Sequence, residues 1–234
     1  PLLSQFYIMT SGCTCVVGDQ YDAYMSPVMI KIALDAGARC LDFNISNYSY
    51  STKSFPIITT SRDYDKRNMQ HNFVLFEDAM QTLSREWLQN KASATRRDPL
   101  FIRLNLDAGV SKNCMDEIAY LLQYYLNEQN SNHLLPVLWN YKSVDTDGGL
   151  GVYPLCAFFD YIVIIVNSPL RTLSPLLDGM VNMYSGKGYT NHTFESLEWK
   201  DVKSENSNER LEFNKLNMTY VETSFHPYSL VGHK

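Results

Sequence analysis

The chain has 234 residues, with 25 Asp and Glu against 20 Lys and Arg, for a formal net charge of −5. That length can bury a core of its own, while a mildly acidic balance excludes nucleic acid as the main partner, since nothing would neutralise a run of phosphates. The longest apolar runs, such as Tyr161 to Val166, fall far short of the ~20 residues that span a bilayer, and 11 Gly with 9 Pro exclude a fibrous or low-complexity chain.

Gln5 to Thr10 is a short β-favouring run and is predicted to be a strand. Ser26-Pro27 then opens a helix, with Ser as N-cap and Pro at the first helical position. Val28, Ile32 and Ala36 line one face of it, and Gly37 supplies the stop. Arg39 to Ile45 follows as a second strand, so the opening reads as a βαβ unit with parallel strands and a right-handed crossover. Pro56 to Thr59 is predicted as a short strand and Phe73 to Leu88 as an amphipathic helix bearing Phe76, Ala79, Met80, Leu83 and Trp87 on one side. The polar stretch Ala92 to Asp98 reads as a loop, Leu100 to Leu106 as a strand, Asp116 to Gln129 as a helix, and Leu134 to Trp139 as a strand. After the turn-rich Asp147 to Gly151, Asp160 to Val166 is apolar on both faces, as befits a strand inside a parallel sheet or barrel. Residues 198–211 are polar and charged and read as a surface loop, and Phe213 to Val221 as one further strand. Strands at this spacing with intervening helices suit either a (β/α)8 barrel or a doubly wound sheet, and spacing alone does not choose.

Side-chain chemistry narrows the function less than the fold. Five cysteines (Cys13, Cys15, Cys40, Cys114 and Cys156) are odd in number and widely spaced, which argues for free thiols in a reducing, non-secretory setting rather than a disulfide framework. Cys13 and Cys15, two apart, would share a face if they lay on a strand. The five histidines stand singly, so no four-ligand metal site is expected. Sixteen Tyr and 11 Phe, in a chain only 19% charged, suit buried protein–protein contacts.

The segment Tyr7-Ile-Met-Thr-Ser-Gly-Cys-Thr-Cys-Val-Val-Gly-Asp-Gln20 resembles the opening of the X region of phosphoinositide-specific phospholipase C, which reads approximately F-I-S-S-S-H-N-T-Y-L-T-G-D-Q. Ile8, Ser11, Thr14 and the triplet Gly18, Asp19, Gln20 match without a gap. Ala38 to Asn44 is similar to the family's C-R-C-V-E-L-D strand, Pro56 to Thr60 to P-I-I-Y-H, and Pro99 to Asn105 to P-L-I-L-S-L-E. The resemblance implies a distorted (β/α)8 barrel of the TIM type, phospholipase-C-like, in which residues 1–168 form the X-like half and 169–234 a divergent second half. Such barrels usually need ~250 residues, so the last strand is expected beyond Lys234 and the chain is expected to be part of a longer protein.

Enzymes of this family use two histidines, one stabilising phosphoryl charge and one protonating the leaving group, while the inositol 2-hydroxyl attacks phosphorus. The eukaryotic branch also holds Ca²⁺ with Asn, Glu, Asp and Glu, hard oxygen ligands for a hard cation. Carried over by position, the histidines fall on Gly12 and Thr60, and the metal ligands on Cys13, Asp42, Asn44 and Asn105. Neither histidine is kept, and of three carboxylates only Asp42 remains. Arg39, Arg62 and Arg103, near strand ends, are candidate phosphate-binding residues, since a metal-independent branch of the family uses Arg in place of Ca²⁺.

The resemblance therefore implies a barrel kept for shape and surface after losing catalysis: a structural, assembly or interaction module for other protein chains, with no cofactor and no bound metal. Asn- and Tyr-rich forms of the X-like region are similar to those encoded by large DNA viruses, which places a virus-particle component (a minor capsid protein) beside a cytoplasmic one. A phosphoinositide- or phosphate-headgroup-binding module and a phosphodiesterase with rearranged catalytic groups are the alternatives. Nothing in the sequence supports a membrane-surface contact.

Overall fold

The computed structural model describes residues 1–17, 24–50, 53–60, 72–89, 97–128, 132–144, 149–167, 173–185 and 222–225. In chain order these hold β1 (Ile8–Ser11), β2 (Val16–Val17), β3 (Tyr24–Met25), α1 (Val28–Asp35), β4 (Cys40–Tyr50), β5 (Lys53–Thr59), β6 (Val74–Leu75) and α2 (Phe76–Leu83). They continue with β7 (Leu100–Leu106), α3 (Lys112–Gln123), α4 (Tyr141–Val144), β8 (Ile162–Asn167), α5 (Pro175–Met180), β9 (Met183–Ser185) and β10 (Glu222–Phe225).

The first joint forms as its residues dictate. Ser26 Oγ accepts the Val28 N–H at 3.3 Å, satisfying one donor at the start of α1. At the other end Gly37 takes φ +98, and the paired bonds Gly37 N–H to Leu34 O and Ala38 N–H to Ala33 O close the helix. That left-handed turn is cheap for glycine. It turns the chain directly into β4, where Arg39 N–H reaches Met9 O.

β1, β4, β7, β8 and β9 then lie side by side in sequence order, all parallel, and β10 pairs parallel with the other edge of β1. A last strand placed beside the first is the arrangement of a barrel rather than of a doubly wound sheet. The last described strand, Glu222–Phe225, lies just past the predicted Phe213 to Val221, which falls wholly outside the described residues. β4 runs on beyond the parallel ring to pair antiparallel with β5, which in turn pairs with β6.

Alternation along each strand sets the two faces. Leu41, Phe43 and Ile45 of β4, Leu100, Ile102, Leu104 and Leu106 of β7, and Ile162, Ile164 and Val166 of β8 join the buried faces of α1, α2 and α3 in one core. The opposite set, Ile8, Cys40, Phe101, Val163 and Ile165, packs with Leu3, Leu135, Val144, Leu150 and Phe158 in a second core inside the ring.

Several predicted elements differ, among them the helix expected from Phe73, which begins at Phe76 after the short strand Val74–Leu75. Leu134 to Trp139 is no strand: Leu134 makes one parallel bridge to Ile162, then Pro136 lacks a donor and Val137–Trp139 curls into a tight 3-10 turn. The third long helix starts four residues before the predicted Asp116, because Ser111 caps it by accepting the Cys114 N–H at 3.2 Å. Cys13 and Cys15 lie in a turn rather than on a strand. Cys13 has φ +48 and packs half-buried against the helix-side core in which Cys15 is fully buried. Burial first, and the neighbouring Cys13 second, push the Cys15 thiol well above its ordinary range.

Candidate functional site at the barrel mouth

Two residues beyond Cys40 and Phe101, the inward-facing positions of β4 and β7 change from apolar to polar. The register sets Asp42 opposite Arg103 and Asn44 opposite Asn105. Arg103 forks onto Asp42, with Nη2 donating to Oδ2 at 2.8 Å and Nε to Oδ1 at 3.3 Å. Asn105 Nδ2 also donates to Asp42 Oδ1, and to Asn44 Oδ1 at 3.3 Å. Asn44 Nδ2 passes the network on to the Thr60 carbonyl at 3.2 Å and to Cys13 Sγ at 3.4 Å, and Cys13 Sγ donates to the same carbonyl at 3.5 Å. One step further out, Ser46 Oγ donates to Asp107 Oδ2 at 3.1 Å.

The loop that carries Gly12 and Cys13 is fixed to β4 from below. Thr14 N–H donates to Asp42 O, Asp42 N–H donates to Thr14 Oγ1 (both 3.0 Å), and Thr14 Oγ1 donates to Ser11 O at 2.8 Å. Asp42, Asn44, Thr60 and Asn105 are all less than a tenth exposed. An ion pair this buried needs its remaining lone pairs and protons satisfied, and Asn105 does this for Asp42.

The structure thus brings together five of the positions singled out in the sequence (Cys13, Asp42, Asn44, Thr60 and Asn105), with half-buried Gly12 beside Cys13. Arg39 and Arg103 are not gathered. Arg103 is bound to Asp42 inside the ring. Arg39 is at the amino end of β4, on the outer face, with its guanidinium 5.3 Å from the Trp87 ring and 3.7 Å from Asp98. Burial holds the Arg39 guanidinium below the usual arginine range, against the opposing pull of Asp98. Arg62 lies outside the described residues, as do His71, His192, His226 and His233. His133 is described, and it stands at the amino end of β8, where its carbonyl accepts the Ile162 N–H.

Sequence reasoning missed the Asp42–Arg103 pairing and the role of Thr14. The pairing had a signal, because each residue lies two beyond an apolar inward residue on adjacent parallel strands; the register itself is a tertiary fact. A pocket of about 270 Å³ lies at the opposite, amino end of the strands, lined by Phe6, Ile8, Arg39, Asp98, Phe101 and Leu155 among others. On the outer layer, Asp178 accepts from Tyr141 Oη at 2.9 Å, from Tyr184 Oη at 3.2 Å and from Lys142 Nζ, which ties α4 to α5 and β9.

The donor set does not suit calcium. That ion takes 6–8 oxygens, several of them carboxylate. Here both Asp42 oxygens already accept hydrogen bonds, an arginine cation stands against them, and the amides of Asn44 and Asn105 direct N–H groups into the network. Among the described residues no three His, Cys, Asp or Glu side chains converge as a metal site.

No protein-family model matches the chain, and no curated protein matches it. Solved structures do. The crystal structure of S. officinalis PLC21 superposes with a TM-score of 0.67 at 16% identity, over 95% of this chain and 30% of that one. L. pealei PLC21 gives 0.66 at 16% identity, over 94% and 30%. The fold is the phospholipase-C-type distorted (β/α)8 barrel. The Ca²⁺-dependent phosphatidylinositol-specific phospholipase C from Streptomyces antibioticus shares it at a TM-score of 0.55 and 9% identity, over 96% of this chain and 95% of that one. The chain spans about a third of the length of the two PLC21 proteins, 30% in each case. Among the described residues all five cysteines are free thiols and no helix is long and apolar enough to cross a membrane.

Proposed function

We propose that this protein is a phospholipase-C-type barrel without phosphodiesterase activity, serving as a structural or interaction module in an assembly with other protein chains. One observation carries the reading: the positions where the resemblance puts the acid–base and metal-binding groups hold a buried, hydrogen-bonded polar network instead. Gly12 offers no side chain, Thr60 has no group that titrates near neutrality, and Asp42 is neutralised by Arg103. General acid–base catalysis needs a group that can give and take a proton near the working pH. Glycine and threonine supply none.

The surface supports a partner of protein chemistry. Val137 and Leu138 are 72% and 83% exposed, and Tyr7 is 77% exposed. Val137 and Leu138 are adjacent, and contiguous apolar side chains left in water are the kind of surface that contact sites use. The likeness of the X-like region to sequences from large DNA viruses would make that assembly a virus particle. The test is inositol-phosphate release from phosphatidylinositol vesicles, with calcium and with a chelator. No release above a heat-denatured control is the expected result. Release abolished by Asp42→Ala would replace this reading with the divergent phosphodiesterase.

A further inference from the structure

The pocket at the amino end of the strands has a use that the polar mouth does not supply. Its volume of about 270 Å³ is below the ~300–1,000 Å³ of sites that enclose a whole small molecule, and suits one large side chain. Its walls are apolar: Ile8 and Phe101 from the inner faces of β1 and β7, with Phe6, Met9 and Leu155 around them. Backbone bonds hold these walls in place. Arg39 N–H donates to Met9 O at 2.9 Å, Phe101 N–H to Arg39 O at 2.8 Å and Leu155 N–H to Pro1 O at 3.2 Å.

Arg39 and Asp98 form the charged part of the lining. The Arg39 guanidinium is fixed beside the Trp87 ring and by donation from Nη1 to Ala38 O at 2.8 Å, and its side chain is only 14% exposed. Asp98, 41% exposed, sets Oδ2 3.7 Å from Arg39 Nε, in salt contact but beyond hydrogen-bond length. These two groups selects for a neutral occupant, because an anion meets the Asp98 carboxylate and a cation meets the Arg39 guanidinium. An amide meets neither penalty: its C=O accepts from a guanidinium and its N–H donates to a carboxylate, both charge-assisted bonds. A large apolar side chain next to an amide is the repeating unit of a polypeptide. Exposed Tyr7 also lines the pocket, and tyrosine is a side chain that protein contacts favour.

We propose that this pocket is the docking point for a partner polypeptide, which inserts one large apolar side chain against Ile8, Phe101 and Leu155 and lays an amide across Asp98 and Arg39. The inference rests on the reading of the barrel as an interaction module, and gives that module a recognition site at the end away from the polar mouth.

The experiment is an NMR titration of the isotope-labelled chain with N-acetyl-leucinamide, N-acetylglycinamide and isocaproate. The first probe carries both the apolar group and the amides, the second the amides alone, and the third a similar apolar group on a carboxylate. N-acetyl-leucinamide is expected to shift the backbone signals of Met9, Arg39, Phe101 and Leu155 saturably, and the other two to bind at least about tenfold more weakly. Leu155→Trp fills the pocket and is expected to abolish the response. Asp98→Ala is expected to weaken N-acetyl-leucinamide about tenfold and to strengthen isocaproate, which no longer meets a carboxylate. If Leu155→Trp does not fold, Asp98→Ala decides alone. No saturable shift with N-acetyl-leucinamide overturns the proposal, as do equal binding of N-acetylglycinamide and binding that the variants leave unchanged. Tighter binding of isocaproate to wild type overturns it in favour of a small apolar acid. Vesicle turnover would sink the proposed function and leave a positive titration standing, whereas a titration without response in a chain without turnover sinks this inference alone.

Discussion

The two ends of the barrel interior are built on the same strands and differ completely in chemistry. At the amino end, Ile8, Cys40, Phe101 and Val163 form an apolar layer with Leu3 and Phe158, all nearly or wholly excluded from water. One inward position further along, Cys40 gives way to Asp42 and Phe101 to Arg103, and one further still to Asn44 and Asn105. The first layer is held by non-directional burial, so its members need only fill volume. The second is held by a chain of directional bonds in which each group needs its particular neighbour, so a change at one place is felt by the others. A barrel of this kind has its site at the carboxyl ends of its strands, and in this chain that end is tied together.

Substitutions at each end should separate the two modes. Arg103→Met leaves the buried Asp42 carboxylate without its counter-charge and should cost about 3–5 kcal/mol of unfolding free energy by urea titration. Adding Asp42→Asn should recover most of that loss, because the penalty belongs to the stranded charge. Equal instability of the single and double variants would show that shape, not charge, governs the mouth. At the amino end, Phe101→Ala should cost a similar ~3–5 kcal/mol through the cavity it leaves, and here no second polar substitution should rescue it.

At the joint between α1 and β4 the expected effect is smaller. Gly37→Ala puts a Cβ on a residue at φ +98, where the nearest atom, Met9 Sδ, is 3.9 Å away. The cost is therefore conformational rather than steric, at least about 1 kcal/mol. A thermal midpoint unchanged from wild type would remove the left-handed stop from the account of this joint.

The smallest effect concerns the outer cluster. Burial alone would raise the Asp178 carboxyl, but the bonds from Lys142, Tyr141 and Tyr184 outweigh it and hold the group below the usual carboxylate range. A carboxyl depressed on folding contributes stability that is complete above its unfolded pKa and is lost as pH falls through the lower folded value. Wild type should thus lose this contribution only in strong acid, and Asp178→Asn should flatten that part of the stability–pH curve. An acid limb identical in both proteins would show that the cluster adds no net stability.

Most of the first half of the fold is legible in the sequence because its signals are local. Ser26-Pro27 and Gly37 bracket α1, and the apolar run Leu100 to Leu106 is β7 with the bounds its residues predict. The misreadings are of a different kind. Leu134 to Trp139 has strand composition, yet beside Leu134 the chain turns away at Pro136, and composition does not show which backbone groups find a partner. The short pair Val16–Val17 with Tyr24–Met25 and the helix Pro175–Met180 are too brief for periodicity to reveal.

The candidate site divides along the same line. Residue identity was enough to say that Gly12 and Thr60 stand where the resemblance asks for histidines, and that Asp42 is the carboxylate left among the expected ligands. It could not say that Arg103, read as a phosphate-binding candidate beside Arg39, turns inward to Asp42 while Arg39 turns outward to Trp87. Side-chain direction follows from strand parity, and partnership from the register between strands about sixty residues apart in sequence (42 and 103). Local propensities fix the elements one at a time, and the network at the mouth exists only once β4 and β7 are laid side by side.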